Sequence, residues 1–385
     1  MSRRRTGSST LAIHGEPAAR SVAEPVSAPV VQSSTFVAPF GPSDDVLYTR
    51  YGNNPNQLRI AERLARLEGA EDSIFLASGM GATALAHLAV LGPGDHLLSS
   101  DWIYGGTRRL FTTEFRRLGI ETSFVDPDVR REWRAKLRRN TRAIFVETPT
   151  NPLLRILDVR WLATLAKAEG IPLLVDSTFA TPILFRPLEH GADVVIHSAT
   201  KYLNGHSDVI AGAVAGGEGL VEEVRQKMRV WGQSIDPHAA WLIERGMKTL
   251  AVRMARHGET GLRVAQWLEK QPKVRRVHHP GLDDHPDHSL SLRVLDGFPG
   301  MVGLELTGGG KAADRFLRAL RLITHAPSLG GVESLVSEPR YTSHASLTPE
   351  ERAAAGIPDG FLRLSLGLED ADDLIADLAR GLAAA

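Results

Sequence analysis

Short, uninterrupted apolar runs alternate with segments whose apolar residues recur every three or four positions, and this alternation dominates the chain from about residue 61 to about residue 255. The runs "SIFLAS" (73–78), "DHLLSSD" (95–101), "TRAIFVE" (141–147), "IPLLVD" (171–176) and "ADVVIHS" (192–198) are strand-length and continuous. The segments "AERLARLEG" (61–69), "GMGATALAHLAVLG" (79–92) and "WLATLAKAEG" (161–170) carry helical periodicity and close on glycine. Strands buried on both faces and separated by helices predict an α/β fold with a mostly parallel central sheet. Beyond residue 255 the pattern becomes a long amphipathic helix, shorter strands such as "GMVGLELTG", and a terminal helix "DADDLIADLARGLAAA". That change predicts a smaller C-terminal α+β domain. The first 60 residues, rich in Pro, Ser and Gly, are poor core material and suit an arm reaching across a subunit interface. The expected organisation is therefore an N-terminal arm at 1–60, an α/β domain at 61–255 and an α+β domain at 256–385.

Charge and composition remove several alternatives. Lys plus Arg and Asp plus Glu both number 45, so no global field recruits nucleic acid or an anionic membrane. The expected partners are small molecules and further copies of the chain. There is no cysteine, which excludes disulfides, thiolate metal sites and cysteine nucleophiles together. No stretch of about 18 apolar residues and no signal-like core follow the basic start, so a cytoplasmic protein is expected.

In such sheets ligands sit beyond the carboxyl ends of the strands, which directs attention to Ser78 and Gly79, Asp101, Glu147, Asp176 and the segment His197 to Lys201. Lys201 stands between the hydroxylated Ser198 and Thr200 at the end of "ADVVI". Most lysines are solvated surface charges, and this one acquires another meaning only through its neighbours. An amine at a sheet mouth bonds an aldehyde such as that of pyridoxal phosphate, whose other groups need their own partners. The Gly79 and Met80 amides, opening a helix after a strand, suit its phosphate, as do the Ser198 and Thr200 hydroxyls. Asp176 suits its ring nitrogen, and Tyr104, after the next strand end, suits its ring face.

The segments "YTRYGNNPN" (48–56), "LASGMGA" (76–82), "YGGT" (104–107), "ETPTNP" (147–152), "VDSTFATP" (175–182), "HSATKYLNGHSD" (197–208), "SLGGVESL" (328–335) and "LRLSLGLED" (362–370) together resemble the Cys/Met-metabolism (trans-sulfuration) family of pyridoxal-phosphate enzymes, nearest to cystathionine γ-synthase and cystathionine γ-lyase. The resemblance runs from about residue 10 to the end. It implies the fold-type-I, aspartate-aminotransferase-like architecture, pyridoxal 5′-phosphate as cofactor, and γ-elimination or γ-replacement on sulfur amino acids or homoserine esters. The related β-lyase, methionine γ-lyase and sulfhydrylase activities are the alternatives.

Residue by residue, the resemblance implies that Lys201 is the covalent anchor and base, Asp176 the partner of the ring nitrogen, and Tyr104 the stacking ring and a proton-transfer group. Gly79, Met80, Ser198 and Thr200 hold the phosphate. Tyr48 and Arg50 reach that phosphate from a neighbouring subunit of a dimer of dimers, with Tyr48 also assisting transfer. Arg363, with Asn151 and Ser328, takes the substrate α-carboxylate, for which a planar guanidinium is suited. Departures concern the substrate. "RYGNNPN" is one residue longer than usual, and Pro327 and Leu47 stand where cystathionine-handling relatives often carry acids.

Three motifs point elsewhere. "GMGATA" with Asp101 at the next strand end fits a dinucleotide-binding pattern and supports a nicotinamide oxidoreductase, but that reading leaves Lys201, Asp176 and "LRLSLG" without roles. "LTGGGKAA" lacks the glycine and hydroxyl of a P-loop. "VHHPGLDDHPDH" gathers His278, His279, His285 and His288 without ligand spacing; it reads as a surface loop, and no metal is expected.

Overall fold

Seven strands form the central sheet of the computed structural model, which describes residues 6–15, 22–41, 46–343, 345 and 348–385. In chain order they are β1 (Asp72–Leu76), β2 (His96–Ser100), β3 (Glu121–Val125), β4 (Thr141–Glu147), β5 (Leu173–Asp176), β6 (Val194–His197) and β7 (Gly212–Gly216). Their order across the sheet is β1-β7-β6-β5-β4-β2-β3. β2 to β6 pair in parallel, and β7 runs antiparallel between β1 and β6.

The apolar runs are explained by burial on both faces. Ile144, Val146, Leu173 and Val175 enter one core, while Ala143, Phe145, Leu174, Val194 and Ile196 enter the other. Since successive strand residues alternate between faces, Glu147 and Asp176 lie on the Phe145 and Leu174 side, the side of helix α3 (Gly79–Leu88). A second sheet, ordered β10-β11-β12-β9-β8, comprises β8 (Val274–His278), β9 (Met301–Leu306), β10 (Thr324–His325), β11 (Leu335–Ser337) and β12 (Phe361–Ser365), and has its own apolar core.

The expected division at 255/256 falls inside one continuous helix, Leu250–Leu268. Leu250 and Met254 pack in the core of the large sheet, whereas Val264, Ala265 and Leu268 pack in that of the small one. The composition changes where one rod passes from one core to the other.

The N-terminal 60 residues also contribute more to the core than their composition suggests. Helix α1 (Ser8–His14) buries Ala12, and Arg63 of α2 (Pro55–Glu68) donates to its carbonyl while pairing with Glu244. The extra asparagine of "RYGNNPN" has a local explanation. Asn53 accepts from the Tyr48 amide and donates to the Val46 carbonyl, while Asn54 caps α2 through a reciprocal capping box with Gln57.

The histidine-rich segment is a surface loop only in part: Asp283, Asp284 and Pro286 are exposed, but most of its histidines are not. His278, His279 and His285 are buried, and His278 bonds Glu305 at 2.7 Å while His279 bonds the Pro299 carbonyl. Among the described residues no group of three or more His, Cys, Asp or Glu is arranged to hold a metal, and no helix is long and apolar enough to cross a membrane.

Candidate active site

The carboxyl ends of β1, β4, β5 and β6 converge on a cavity of about 490 Å³. Its lining includes Gly79, Met80, Tyr104, Asn151, Asp176, Ser198, Thr200, Lys201, Ser328 and Arg363. Ten of the twelve residues nominated from sequence thus meet in one chain's cavity. Tyr48 and Arg50 do not: they line a separate depression with Ser33, Ser234 and Asp236. There Arg50 donates to the Arg229 carbonyl at 2.6 Å and lies against the Tyr48 and Tyr51 rings.

Helix α3 (Gly79–Leu88) starts at the cavity, its N-cap Ser78 accepting from the Gly81 amide. First-turn amides have no intrahelical acceptor, so Gly79 and Met80 present N–H groups to an anion. A Cβ at Gly79 would come 2.7 Å from Ser198 Oγ; glycine is what lets the helix start meet the end of β6. The Thr200 hydroxyl is engaged with the Ala211 backbone, donating to its carbonyl at 3.1 Å and accepting from its amide at 3.0 Å.

Lys201 donates from Nζ to Ser328 Oγ at 2.7 Å. Burial, then the nearby Arg363 charge, lowers its ammonium from the usual lysine range to about 8. Ser328 has φ 88°, a left-handed conformation strained for a side chain, and its carbonyl accepts from Arg363 at 3.0 Å. Arg363, on β12, also donates to Asn151 Oδ1 at 2.8 Å. Its Nε has no hydrogen-bond partner among the described residues, and burial lowers the guanidinium to about 10. A buried guanidinium with an idle donor suits an incoming carboxylate.

Asp176 accepts from the Thr178 amide at 2.9 Å, and the Thr178 hydroxyl accepts from the Ser198 amide at 2.8 Å. Burial raises the Asp176 carboxyl and the Thr178 bonds oppose that shift. Glu147, its register partner on β4, accepts from the Tyr104 amide at 2.7 Å and from the Asn151 amide at 2.9 Å. Sequence reasoning placed Glu147 at a strand end without a role and passed over Thr178. Both lie in quoted motifs, Thr178 in "VDSTFATP" and Glu147 in "ETPTNP", so the signal was there for each.

The donor set matches pyridoxal phosphate group by group. Helix-start amides and the free Ser198 hydroxyl suit the phosphate, Lys201 suits the aldehyde, Asp176 suits a ring cation, and the half-exposed Tyr104 suits the ring face. A sheet-end cavity so equipped defines a fold-type-I pyridoxal-phosphate enzyme. The family profile described as Cys/Met metabolism PLP-dependent enzyme matches residues 9–383, and the chain belongs to that family. Its cofactor is pyridoxal 5′-phosphate and its chemistry is that of the carbon–sulfur lyases and transferases, which sets the dinucleotide reading of "GMGATA" aside.

The chain is 43% identical over 338 residues to an O-succinylhomoserine sulfhydrylase of Pseudomonas aeruginosa, covering 88% of this chain and 84% of that one. It is 41% identical to an L-methionine γ-lyase of Porphyromonas gingivalis, covering 98% and 97%. It superposes on a cystathionine γ-synthase of Xanthomonas oryzae pv. oryzae, solved with aminoacrylate and cysteine, with TM-score 0.94, 41% identity and 98% coverage of both chains.

Proposed function

We propose that the chain catalyses γ-elimination or γ-replacement on an amino acid whose γ-substituent carries no ammonium group, an acyl ester of homoserine or a simple thioether, in preference to cystathionine. The supporting observation is the use of charge in the cavity. Among its described lining residues the charged side chains are Glu147, Asp176, Lys201 and Arg363, and all four are bound to one another's loops or suited to cofactor and α-carboxylate. Among the described lining residues of the chain no further acid is available to a distal ammonium, and Pro327 lines the wall. An unpaired ammonium in a closed site is costly. With O-acetylhomoserine, methionine and cystathionine offered separately, kcat/KM for one of the first two is expected to exceed that for cystathionine at least about tenfold. The reverse order would overturn this preference.

When bound, the cofactor supplies an aldehyde that bonds the substrate amine and a ring that accepts the electron pair of the cleaved Cα–H bond. The protein does the rest. Arg363 and Asn151 orient the α-carboxylate, and the Lys201 amine, its ammonium lowered by burial to about 8, takes the Cα proton. Asp176 holds the charge that favours a protonated ring, and Tyr104 covers the ring and is placed to pass a proton at the leaving group. Exchange of Arg363 for Lys keeps the charge but loses the planar fork. KM is expected to rise roughly tenfold or more, about 1.4 kcal/mol; an unmoved KM would place the carboxylate elsewhere.

Among the described lining residues the cations are Lys201 and Arg363, which have other proposed partners, and Arg50 with Tyr48 lines a different depression. This supports a shared site in which a second subunit supplies Arg50 and Tyr48. Mixing the inactive variants Lys201→Ala and Arg50→Ala under subunit exchange is then expected to restore activity, because some mixed dimers hold one site with both native residues. No recovery in proven mixed dimers would mean that each chain builds its site alone.

A further inference from the structure

Glu147 closes β4 at the floor of the cavity and is buried, yet no step above uses it. Its two oxygens serve two different loops. Oε2 accepts from the Tyr104 amide at 2.7 Å, and Oε1 accepts from the Asn151 amide at 2.9 Å. Tyr104 is the N-cap of the helix Gly105–Arg109 and has no side-chain cap of its own, so the carboxyl fixes where its backbone, and therefore its ring, begins. On the other side the contacts continue: Asn151 Oδ1 accepts from Arg363 at 2.8 Å, Arg363 donates to the Ser328 carbonyl at 3.0 Å, and Ser328 Oγ accepts from Lys201 at 2.7 Å. One side chain therefore joins the residue that covers the cofactor ring to those that grip the substrate carboxylate and carry the amine.

We infer that Glu147 is a positioning residue that sets the Tyr104 ring and the Arg363 guanidinium together, through the backbone amides of Tyr104 and Asn151. The inference rests on the site roles proposed above. The register of the sheet gives it a second support. Glu147 and Asp176 are paired residues of adjacent parallel strands on the same face, and two carboxyls so close at a cavity floor do not both ionise readily. Burial, then the neighbouring Asp176, pushes Glu147 well above the usual carboxylate range. The Tyr104 and Asn151 amides and the Arg363 charge oppose that rise, so the bonds that position the two loops also act on the carboxyl itself.

Glutamine at 147 keeps the size but turns one accepting oxygen into an amide that confronts an N–H donor. In the Glu147→Gln holoenzyme the circular dichroism of the visible cofactor band is expected to fall by about half as Tyr104 shifts, and KM to rise roughly fivefold or more as Asn151 releases Arg363. Glu147→Asp, one methylene too short to reach both amides, is expected to show the same two changes. Asn151→Ala cuts only the later link, so KM is expected to rise while the dichroism stays at its wild-type value. In the double variant Glu147→Gln with Arg363→Lys, the KM effects are expected to be less than additive, because both act on one contact. Wild-type dichroism and KM in the Glu147 variants, or full additivity with Arg363→Lys, would overturn the inference. So would an Asn151→Ala enzyme with unchanged KM, which is decisive even where a Glu147 variant fails to fold. If the wild-type protein shows no visible band with added cofactor, the site reading itself has failed, an outcome distinct from all of these.

Discussion

Replacing Lys201 by alanine is expected to lower turnover by at least about 10⁴-fold and to abolish the visible absorbance of the purified protein. The size of the loss follows from how much Lys201 does at once. Among the described lining residues its amine is the only basic nitrogen able to lose its proton near neutral pH. With its ammonium lowered to about 8, roughly a tenth of the side chains are free amine at pH 7, against a few in ten thousand for an ordinary lysine. Burial causes most of that change and the Arg363 charge the rest. Lys201→Arg separates nucleophilicity from charge: it keeps a cation beside Ser328 but has no amine to bond the aldehyde. It is expected to be as inactive as the alanine variant. Steady-state turnover with absorbance from about 350 to 450 nm checks both, and appreciable activity in either would remove Lys201 from the chemistry.

Asp176→Asn is expected to lower kcat by about 10²- to 10³-fold while changing KM by only a few-fold. Asparagine retains an oxygen for the Thr178 amide, which Asp176 meets at 2.9 Å, so the floor of the cavity keeps its shape. What disappears is the negative charge that favours a protonated ring. Burial raises the carboxyl while its Thr178 bonds oppose that shift, and a ring N–H⁺ against it would favour the ionised form. In the proposed arrangement the substrate carboxylate goes to Arg363 and Asn151, which are bonded to each other across the cavity, so binding is expected to survive. Equal losses in kcat and in substrate affinity would indicate a structural role instead.

Much of this site was legible in the sequence because strand ends are legible. The runs ending at Glu147, Asp176 and His197 are buried on both faces, so their apolar continuity marks both the strand and the point where it stops. Gly79 was visible as the start of a helix directly after a strand; the structure adds that a Cβ there would meet Ser198 Oγ at 2.7 Å. Arg363 and Ser328 lie more than a hundred residues beyond Lys201, and nothing in local periodicity brings them to it; family resemblance supplied them. The role of Glu147 was hidden because its partners are backbone amides, which leave no trace in side-chain pattern. The helix shared by both cores hid the domain limit, since a rod that changes neighbours midway keeps one continuous periodicity. The buried histidines were misread because their partners, Glu305 and the Pro299 carbonyl, are distant in sequence.

The central claim is that Lys201 is the amine that holds the cofactor. Purified protein saturated with pyridoxal 5′-phosphate is treated with borohydride, digested, and mapped by mass spectrometry. The account predicts one reduced pyridoxyl group per chain, on the peptide containing Lys201, with the visible band lost in step with labelling. A label on any other lysine, or a protein that takes up no cofactor and no label, would contradict it.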